Sequence, residues 1–495
     1  MISDKNILVL KSRFFLYRIV TYFSFLLLPV WLQKTVTLPI YTILILMACY
    51  AMFIAGQWYL LAKEVDYRFK IFFKTNSSMD RLIYRLMMGQ ILFILYFNAL
   101  NFLPSKWIYN SFWITWVCLG LFYSWPTRGK IIKESVASNF GEFKYLDSFE
   151  RTLVVLILAL FVVSIPEIPR LNSFESLALF MDPKEKLSGQ YWNFIAINYY
   201  PFFKYPQLMR YAIGMHFYVN GVGIFLLSSY ALMRYFYSRR LSLLGVFAIL
   251  STWSYSKILV SDPSSAIVAT FAISWLWMLV WLPLSGTYRA GLFWGLMAYL
   301  GSLCSRAFIG LTAIQSYIVF LFSLSGKTTW YKRQLVKYGA LGIILSLLTF
   351  LFEGYEPYYG LSYFRDYADH VTDIINRKAF FTLSFLGILI ILFQSWIEKK
   401  MSIGKFNKEA LNNLIKSILV YMLFCVFFEK NLIESFFVMW VATFLALLPL
   451  EYLFQTLSRM RSNRNMIYLI YILICLLDSH VEGRIKILAR ILFNS

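Results

Sequence analysis

The sequence is poor in charge. Only 15% of its 495 residues are Asp, Glu, Lys or Arg, whereas a soluble domain carries about 25%. Hydrophobic residues reach 60%, and a water-soluble protein lacks the polar surface needed to cover that much apolar material. The composition therefore excludes an ordinary soluble protein and favours one whose outer face is solvated by lipid.

Histidine and cysteine are also scarce. The three histidines, His216, His370 and His480, are scattered along the chain, which argues against a histidine-based metal site or proton relay. The five cysteines stand singly in apolar runs, without a CxxC or another metal-ligand spacing. We interpret them as small apolar residues that face lipid or the protein core.

Acidic residues are outnumbered by basic ones, 25 against 47, which gives a formal charge of +22. Nucleic-acid binding would require a soluble basic patch. Here the positive charge lies instead in short connections between apolar runs, which is the distribution that membrane topology produces. We therefore expect no nucleic-acid partner.

Apolar runs are abundant, and many approach the length of about 20 residues that a bilayer-crossing helix needs. They predict an all-α, polytopic integral membrane protein with about 14–15 transmembrane helices. The predicted spans lie near 14–32, 38–62, 86–104, 107–125, 151–167, 209–236, 241–257, 264–284, 289–304, 307–324, 338–353, 378–396, 413–428, 434–456 and 466–478.

The connections between these spans alternate in charge. Every second one is basic, for example 63–85, 126–150 and Arg239-Arg240, while the intervening ones are short or acidic. The positive-inside rule then places the N-terminus in the cytoplasm. It also places two long aromatic segments, 167–208 and 353–377, on the far side. We expect a multi-pass protein of a bacterial inner (plasma) membrane, with an uncleaved first span.

The segment 167–208 ends in a dense aromatic run from Tyr191 to Tyr205, which predicts a juxtamembrane helix lying in the membrane interface. Three divisions of the chain follow from the pattern. Residues 1–135 form an N-terminal four-helix membrane module, 136–325 a central core that contains the long loop, and 326–495 the C-terminal membrane helices.

The central block carries an ordered set of features. Lys204-Tyr205-Pro206-Gln207-Leu208 opens a span that closes near Arg239-Arg240; Asp262 follows in a later far-side loop, and then a glycine-rich helix runs from Gly291 to Arg306. In this order and spacing, roughly residues 150–325 resemble the GT-C superfamily of membrane glycosyltransferases, in particular its protein mannosyltransferase and aminoarabinose transferase branch. The four N-terminal spans lie outside this pattern.

The resemblance implies sugar transfer from a polyprenyl-phosphate donor to a glycan, lipid or protein acceptor on the extracytoplasmic side, with membrane lipid as a further partner. Glu175 and Asp262 would be catalytic, by removing a proton from the acceptor or by holding a divalent metal. Basic side chains would stabilise the leaving phosphate. The predicted substrate-binding residues are Asp182, Lys204, Arg210, Arg306 and Arg365.

The chain departs from the family at two points. Where the family has a pair of acids, Glu175 stands alone between Phe174 and Ser176, and Arg306 replaces a lysine. The resemblance allows Mg²⁺ or Mn²⁺ as a cofactor, but the loss of one acid leaves the metal ligands unknown.

Plainer interpretations of these residues stay open. Glu175 also fits a solvated loop acid, and Asp262 before Pro263 fits a helix cap. Lys204 and Arg210 fit side chains that snorkel to the interface, and Arg365 fits a partner in a helix-surface ion pair. The alternative function is a non-catalytic GT-C-like scaffold or a lipid or polysaccharide transporter. A transporter requires ionisable residues near the bilayer midplane, whereas most acids here lie at the ends of spans.

Overall fold

The computed structural model describes part of the chain in detail. The described residues are 4–34, 38–69, 78–100, 105–125, 145–165, 194–195, 197–202, 206–234, 236–251, 378–393, 443–451 and 461–477, with single positions 340, 341, 344, 453 and 486.

Within these ranges the fold is all-helical and contains no strand, as predicted. The helices are α1 (Asp4–Lys34), α2 (Ile40–Phe69), α3 (Ser78–Ala99), α4 (Ser105–Ser124), α5 (Ser148–Ser164), α6 (Pro206–Met215), α7 (Gly223–Met233), α8 (Arg239–Ser251), α9 (Lys378–Leu392) and α10 (Arg461–Leu477). A π-helical stretch, His216–Val222, joins α6 to α7, and Tyr200–Phe202 form a 3₁₀ turn.

Two of the described helices are long and apolar enough to cross a membrane. They are Ile40–Arg68, within α2, and Leu208–Met233, which runs through α6, the π-helical stretch and α7. Shorter apolar helices cover Leu16–Leu32 and Asn465–Leu476. The predicted spans 264–284, 289–304, 307–324 and 413–428 lie outside the described residues.

The start of α3 differs from the prediction. The sequence predicts a span from residue 86, after a basic loop over 63–85, whereas the helix begins at Ser78. Arg85 is half-buried, and its guanidinium donates to Asp66 at 3.2 Å and to the Tyr59 hydroxyl at 3.0 Å. Tertiary partners on α2 therefore keep a charged turn helical.

Helices α2 and α3 form a closely packed antiparallel pair. Their contact is tightest at Gly89, where the backbone of Trp58 occupies the space that a β-carbon would need. Only glycine permits this approach, because any side chain would overlap the Trp58 carbonyl. The described helices of residues 1–135 and 136–325 share one buried core.

The 194–202 segment lies elsewhere than predicted. Its described residues do not lie on a surface, as an interfacial helix would; Phe194, Asn198, Tyr199 and Phe202 are completely buried. Their rings pack on α2, with Phe194 5.5 Å from Trp58 and Phe202 5.4 Å from Tyr50. The aromatic side chains thus gain more contact inside the helix bundle than in an interface.

Candidate functional site

One of the seven predicted site residues is described by the structure. Arg210 lies on α6, half-buried, and its helix leads directly into the π-helical stretch that begins at His216. The other six lie outside the described residues, so their roles stay predictions: Glu175, Asp182, Lys204, Asp262, Arg306 and Arg365.

The π-helical stretch carries the most deeply buried ionisable side chain of the candidate span. His216 is 0% exposed, and Asn220, one turn later, is also buried. π-Helical turns are rare and occur frequently at functional sites. An ionisable residue inside an apolar span is expensive, so it marks a functional-site candidate. We refer to His216, Asn220, Tyr199, Asn198 and Tyr50 as the His216 cluster.

Hydrogen bonds fix the state of the His216 ring. The Asn220 Nδ2 amide donates to the Ala51 carbonyl at 3.2 Å, and a carbonyl can only accept. The same Nδ2 lies 3.3 Å from His216 Nδ1. Nδ1 must therefore be an acceptor, which makes the imidazole neutral with its proton on Nε2.

The acceptor state of Nδ1 also orients Tyr199. The Tyr199 hydroxyl lies 2.9 Å from His216 Nδ1, and it must act as the donor because Nδ1 has no proton to give. The ring of Trp58 on α2 meets the imidazole edge-on at 5.8 Å, and Phe194 lies 6.2 Å away. Apolar rings thus enclose the polar contact.

Tyr50 extends the His216 cluster to α2. Its hydroxyl donates to the backbone carbonyl of Asn198 at 3.1 Å, and the Asn198 Nδ2 amide donates to the backbone carbonyl of Phe194 at 2.7 Å. Three buried polar atoms around these residues have no hydrogen-bond partner within the described part of the chain: Gln57 Oε1, Trp58 Nε1 and Asn198 Oδ1. Buried polar atoms without a hydrogen-bond partner are uncommon in folded proteins, so these three atoms mark the region as a candidate site.

A second cluster, made of charged side chains, joins the N-terminal ends of α5 and α8. Arg239 donates through Nε to Glu150 Oε1 at 2.8 Å and pairs through Nη2 with Oε2 at 2.7 Å. Arg240 donates through Nε to Asp147 Oδ2 at 2.9 Å. We call these four residues the arginine–carboxylate cluster.

The sequence around Asp147 explains why a helix begins there. The Asp147 side chain accepts the Glu150 N–H at 2.8 Å, and Glu150 accepts the Asp147 N–H at 3.0 Å, which is a complete capping box. Partial burial opposes ionisation of Asp147, but the Glu150 N–H and the Arg240 guanidinium outweigh it and lower the pKa of Asp147. The Glu150 hydrogen bond raises the pKa of Arg239.

Neither cluster is suited to a divalent metal. The described residues contain no group of three or more His, Cys, Asp and Glu side chains that could hold one. Asp147 and Glu150 are already bonded to arginines, and the His216 cluster offers one imidazole beside amides and phenols. A site for Mg²⁺ or Mn²⁺ therefore stays a prediction on residues outside the described ranges.

The sequence did hold a signal for the His216 cluster. His216 and Asn220 are four residues apart in an apolar run, so they face the same side of a helix. The scatter of the three histidines along the chain hides this local pattern. Tyr199 gave no such signal, because it is one of many aromatics in its segment.

No protein-family model, curated protein or solved structure matches the chain. The likeness to the GT-C superfamily accordingly rests on the residues quoted above.

Proposed function

We propose that the chain is a polytopic integral membrane protein that transfers a sugar from a polyprenyl-phosphate donor to an acceptor on the extracytoplasmic side. The observation that carries the proposal is the order of motifs around the candidate span Leu208–Met233. A basic turn precedes the span, an Arg239-Arg240 pair closes it, and acids lie on the predicted far-side loops before and after it.

Exposed apolar stripes support a membrane location beyond the two long helices. On α10, Met466, Leu469, Ile470 and Leu473 are exposed, up to 64% for Met466, and their spacing places them on one face. The opposite face buries Tyr468 and Tyr471. A helix that exposes its aliphatic residues and buries its tyrosines suits a lipid surround, because water would favour the reverse.

Helix α5 also exposes an aliphatic face. Val155, Leu158 and Val162 on α5 are each more than half exposed and share one face. The starts of α5 and α8 meet in the arginine–carboxylate cluster. This meeting is consistent with the predicted frame, in which the basic connections 126–150 and Arg239-Arg240 share the cytoplasmic side.

The proposed chemistry assigns roles to five of the seven predicted residues. Glu175 would take the proton of the acceptor hydroxyl, and Asp262 would assist as a second carboxylate. Lys204, Arg210 and Arg306 would stabilise the departing polyprenyl phosphate. The bond that forms joins the sugar's anomeric carbon to the acceptor oxygen, and the bond that breaks joins that carbon to the phosphate.

Transfer of radiolabelled sugar from polyprenyl-phosphate donors, measured with the purified protein in liposomes, tests the proposal. We expect Glu175→Gln to lower the rate about 10²- to 10⁴-fold, the usual contribution of a general base, and Asp262→Asn to lower it as well. Glu64→Gln is the matched control, because Glu64 pairs with Arg68 at 2.9 Å within α2 and is not one of the predicted site residues. Full activity in both site variants would refute the residue assignments.

A transporter of lipid-linked glycans is the second candidate. The fully buried His216 within a candidate span favours it, since transport pathways are where such residues are found. Donor movement across liposomes separates the two functions. Transport without transfer, abolished by His216→Leu and unaffected by Glu175→Gln, would establish the second candidate and exclude the first.

A further inference from the structure

The 194–202 segment is the C-terminal end of the long predicted far-side segment that carries Glu175. It enters the helix bundle as a short, ordered turn. The Tyr199 N–H donates to the Ile195 carbonyl at 3.0 Å, and the Phe202 N–H donates to the Tyr199 carbonyl at 2.9 Å. Tyr199, at the centre of this turn, is completely buried.

Three parts of the fold meet at this turn through side-chain hydrogen bonds. Tyr199 binds His216 of the candidate span, and Tyr50 of α2 binds the Asn198 carbonyl. Asn220 closes the connection by binding the Ala51 carbonyl on α2. The turn is thus attached to both candidate membrane-crossing helices, and those helices are attached to each other.

We propose that Tyr199 and His216 are positioning residues whose hydrogen bond fixes the 194–202 turn, which follows the Glu175 segment in the chain, against the candidate membrane-crossing helices. This inference rests on the proposed transferase function and deepens it. The attachment is directional, because the single lone pair of His216 Nδ1 is shared by the Tyr199 hydroxyl at 2.9 Å and, at the longer distance of 3.3 Å, by the Asn220 amide.

The surroundings make the attachment hard to replace. The rings of Trp58, Phe194 and Tyr50 pack against these groups. Their polar atoms are the Trp58 indole N–H and the Tyr50 hydroxyl, which already donates to the Asn198 backbone carbonyl, so an unbonded hydroxyl or imidazole nitrogen has few alternative partners. Loss of either side chain should release the turn locally, while the rest of the bundle stays folded.

Hydrogen–deuterium exchange of the purified full-length protein tests the attachment without any substrate. We expect Tyr199→Phe to speed amide exchange across 194–202 by roughly two- to tenfold, the factor set by one hydrogen bond. Tyr22→Phe is the matched control, because it removes a buried hydroxyl that donates to the Trp116 carbonyl at 2.9 Å, between α1 and α4, and makes no hydrogen bond to the 194–202 turn. Unchanged exchange in Tyr199→Phe overturns the inference.

Kinetics test the positioning role. We expect Tyr199→Phe and His216→Leu to lower kcat about tenfold or more, with the donor KM nearly unchanged, because misplaced catalytic groups cost rate more than binding. His216→Gln keeps an acceptor atom and should recover most of the rate. Faster exchange with unaltered kcat overturns the positioning role. A wild-type protein without transfer activity overturns the proposed function, while the exchange measurement still decides the attachment.

Discussion

The two polar clusters of this protein differ in charge and in solvent exposure. The arginine–carboxylate cluster places four charges at the N-terminal ends of α5 and α8, where Arg239 keeps 31% of its side chain exposed. The His216 cluster lies between the 194–202 turn and the two candidate spans, and its side chains are neutral. The difference teaches that charge is retained where solvent still reaches one partner, and neutral hydrogen bonds are used where it does not.

The clusters also join different parts of the fold. The charged one fixes where α5 and α8 begin, through a capping box and two arginines. The neutral one fixes how the 194–202 turn, α2 and the candidate span Leu208–Met233 cross. Substitutions chosen at each cluster can therefore separate their contributions.

The largest effect is expected where the neutral cluster depends on close helix packing. Trp58 contacts His216 on one side and presents its carbonyl to Gly89 on the other. Gly89→Ala would overlap that carbonyl and should lower the free energy of unfolding by about 3 kcal/mol, the upper end of overpacking costs. Thermal unfolding in detergent measures it.

Gly56→Ala, on the facing helix α2, is expected to change stability in the opposite direction. No atom lies within 4 Å of the β-carbon it would add, so alanine should stabilise α2 by about 0.5–1 kcal/mol through helix propensity. Equal effects of the two substitutions would contradict the close approach of α2 and α3 at Gly89.

The next effect belongs to the charged cluster. Arg239→Ala would leave Glu150, whose side chain is 3% exposed, buried without its cation. We expect a loss of about 2–3 kcal/mol, somewhat below the cost for a completely buried pair because Arg239 is half-exposed. Chemical unfolding followed by tryptophan fluorescence measures it.

Arg240→Ala is the matched control for that variant. Arg240 and Asp147 are both more than a third exposed, so their pair should contribute less than about 1 kcal/mol. A larger loss from Arg240→Ala than from Arg239→Ala would reverse the ranking of the two pairs.

The smallest effect is the pH dependence of Asp147. Its folded pKa lies below the usual value of 3.8, so ionised Asp147 stabilises the fold above that pH, and the contribution is lost as the pH falls through the folded pKa. The melting temperature of wild type should exceed that of Asp147→Asn at about pH 5, and the gap should narrow by about pH 3. A gap that widens on acidification would mean that the shift has the other sign.

Local sequence predicted helices well where apolar runs were unbroken. Helices α2, α4 and α5 begin within three residues of the predicted spans. Local sequence did not predict the start of α3, because the partners of Arg85 lie on another helix. It did not predict the position of the 194–202 segment either, because an aromatic run has the same composition whether it faces lipid, an interface or the core. Of the predicted site, Arg210 could be located on a helix; the carboxylates stay predictions.

The sequence by itself predicts the class of environment, a membrane. Its scarcity of charge, its apolar runs and the alternation of basic connections are properties of composition and order, and they require no knowledge of contacts. The tertiary structure alone decided that His216 accepts from Tyr199, and that Arg239 binds Glu150. These pairs join residues far apart in the chain, and only packing brings a donor and an acceptor within 3 Å while excluding the water that would otherwise serve both.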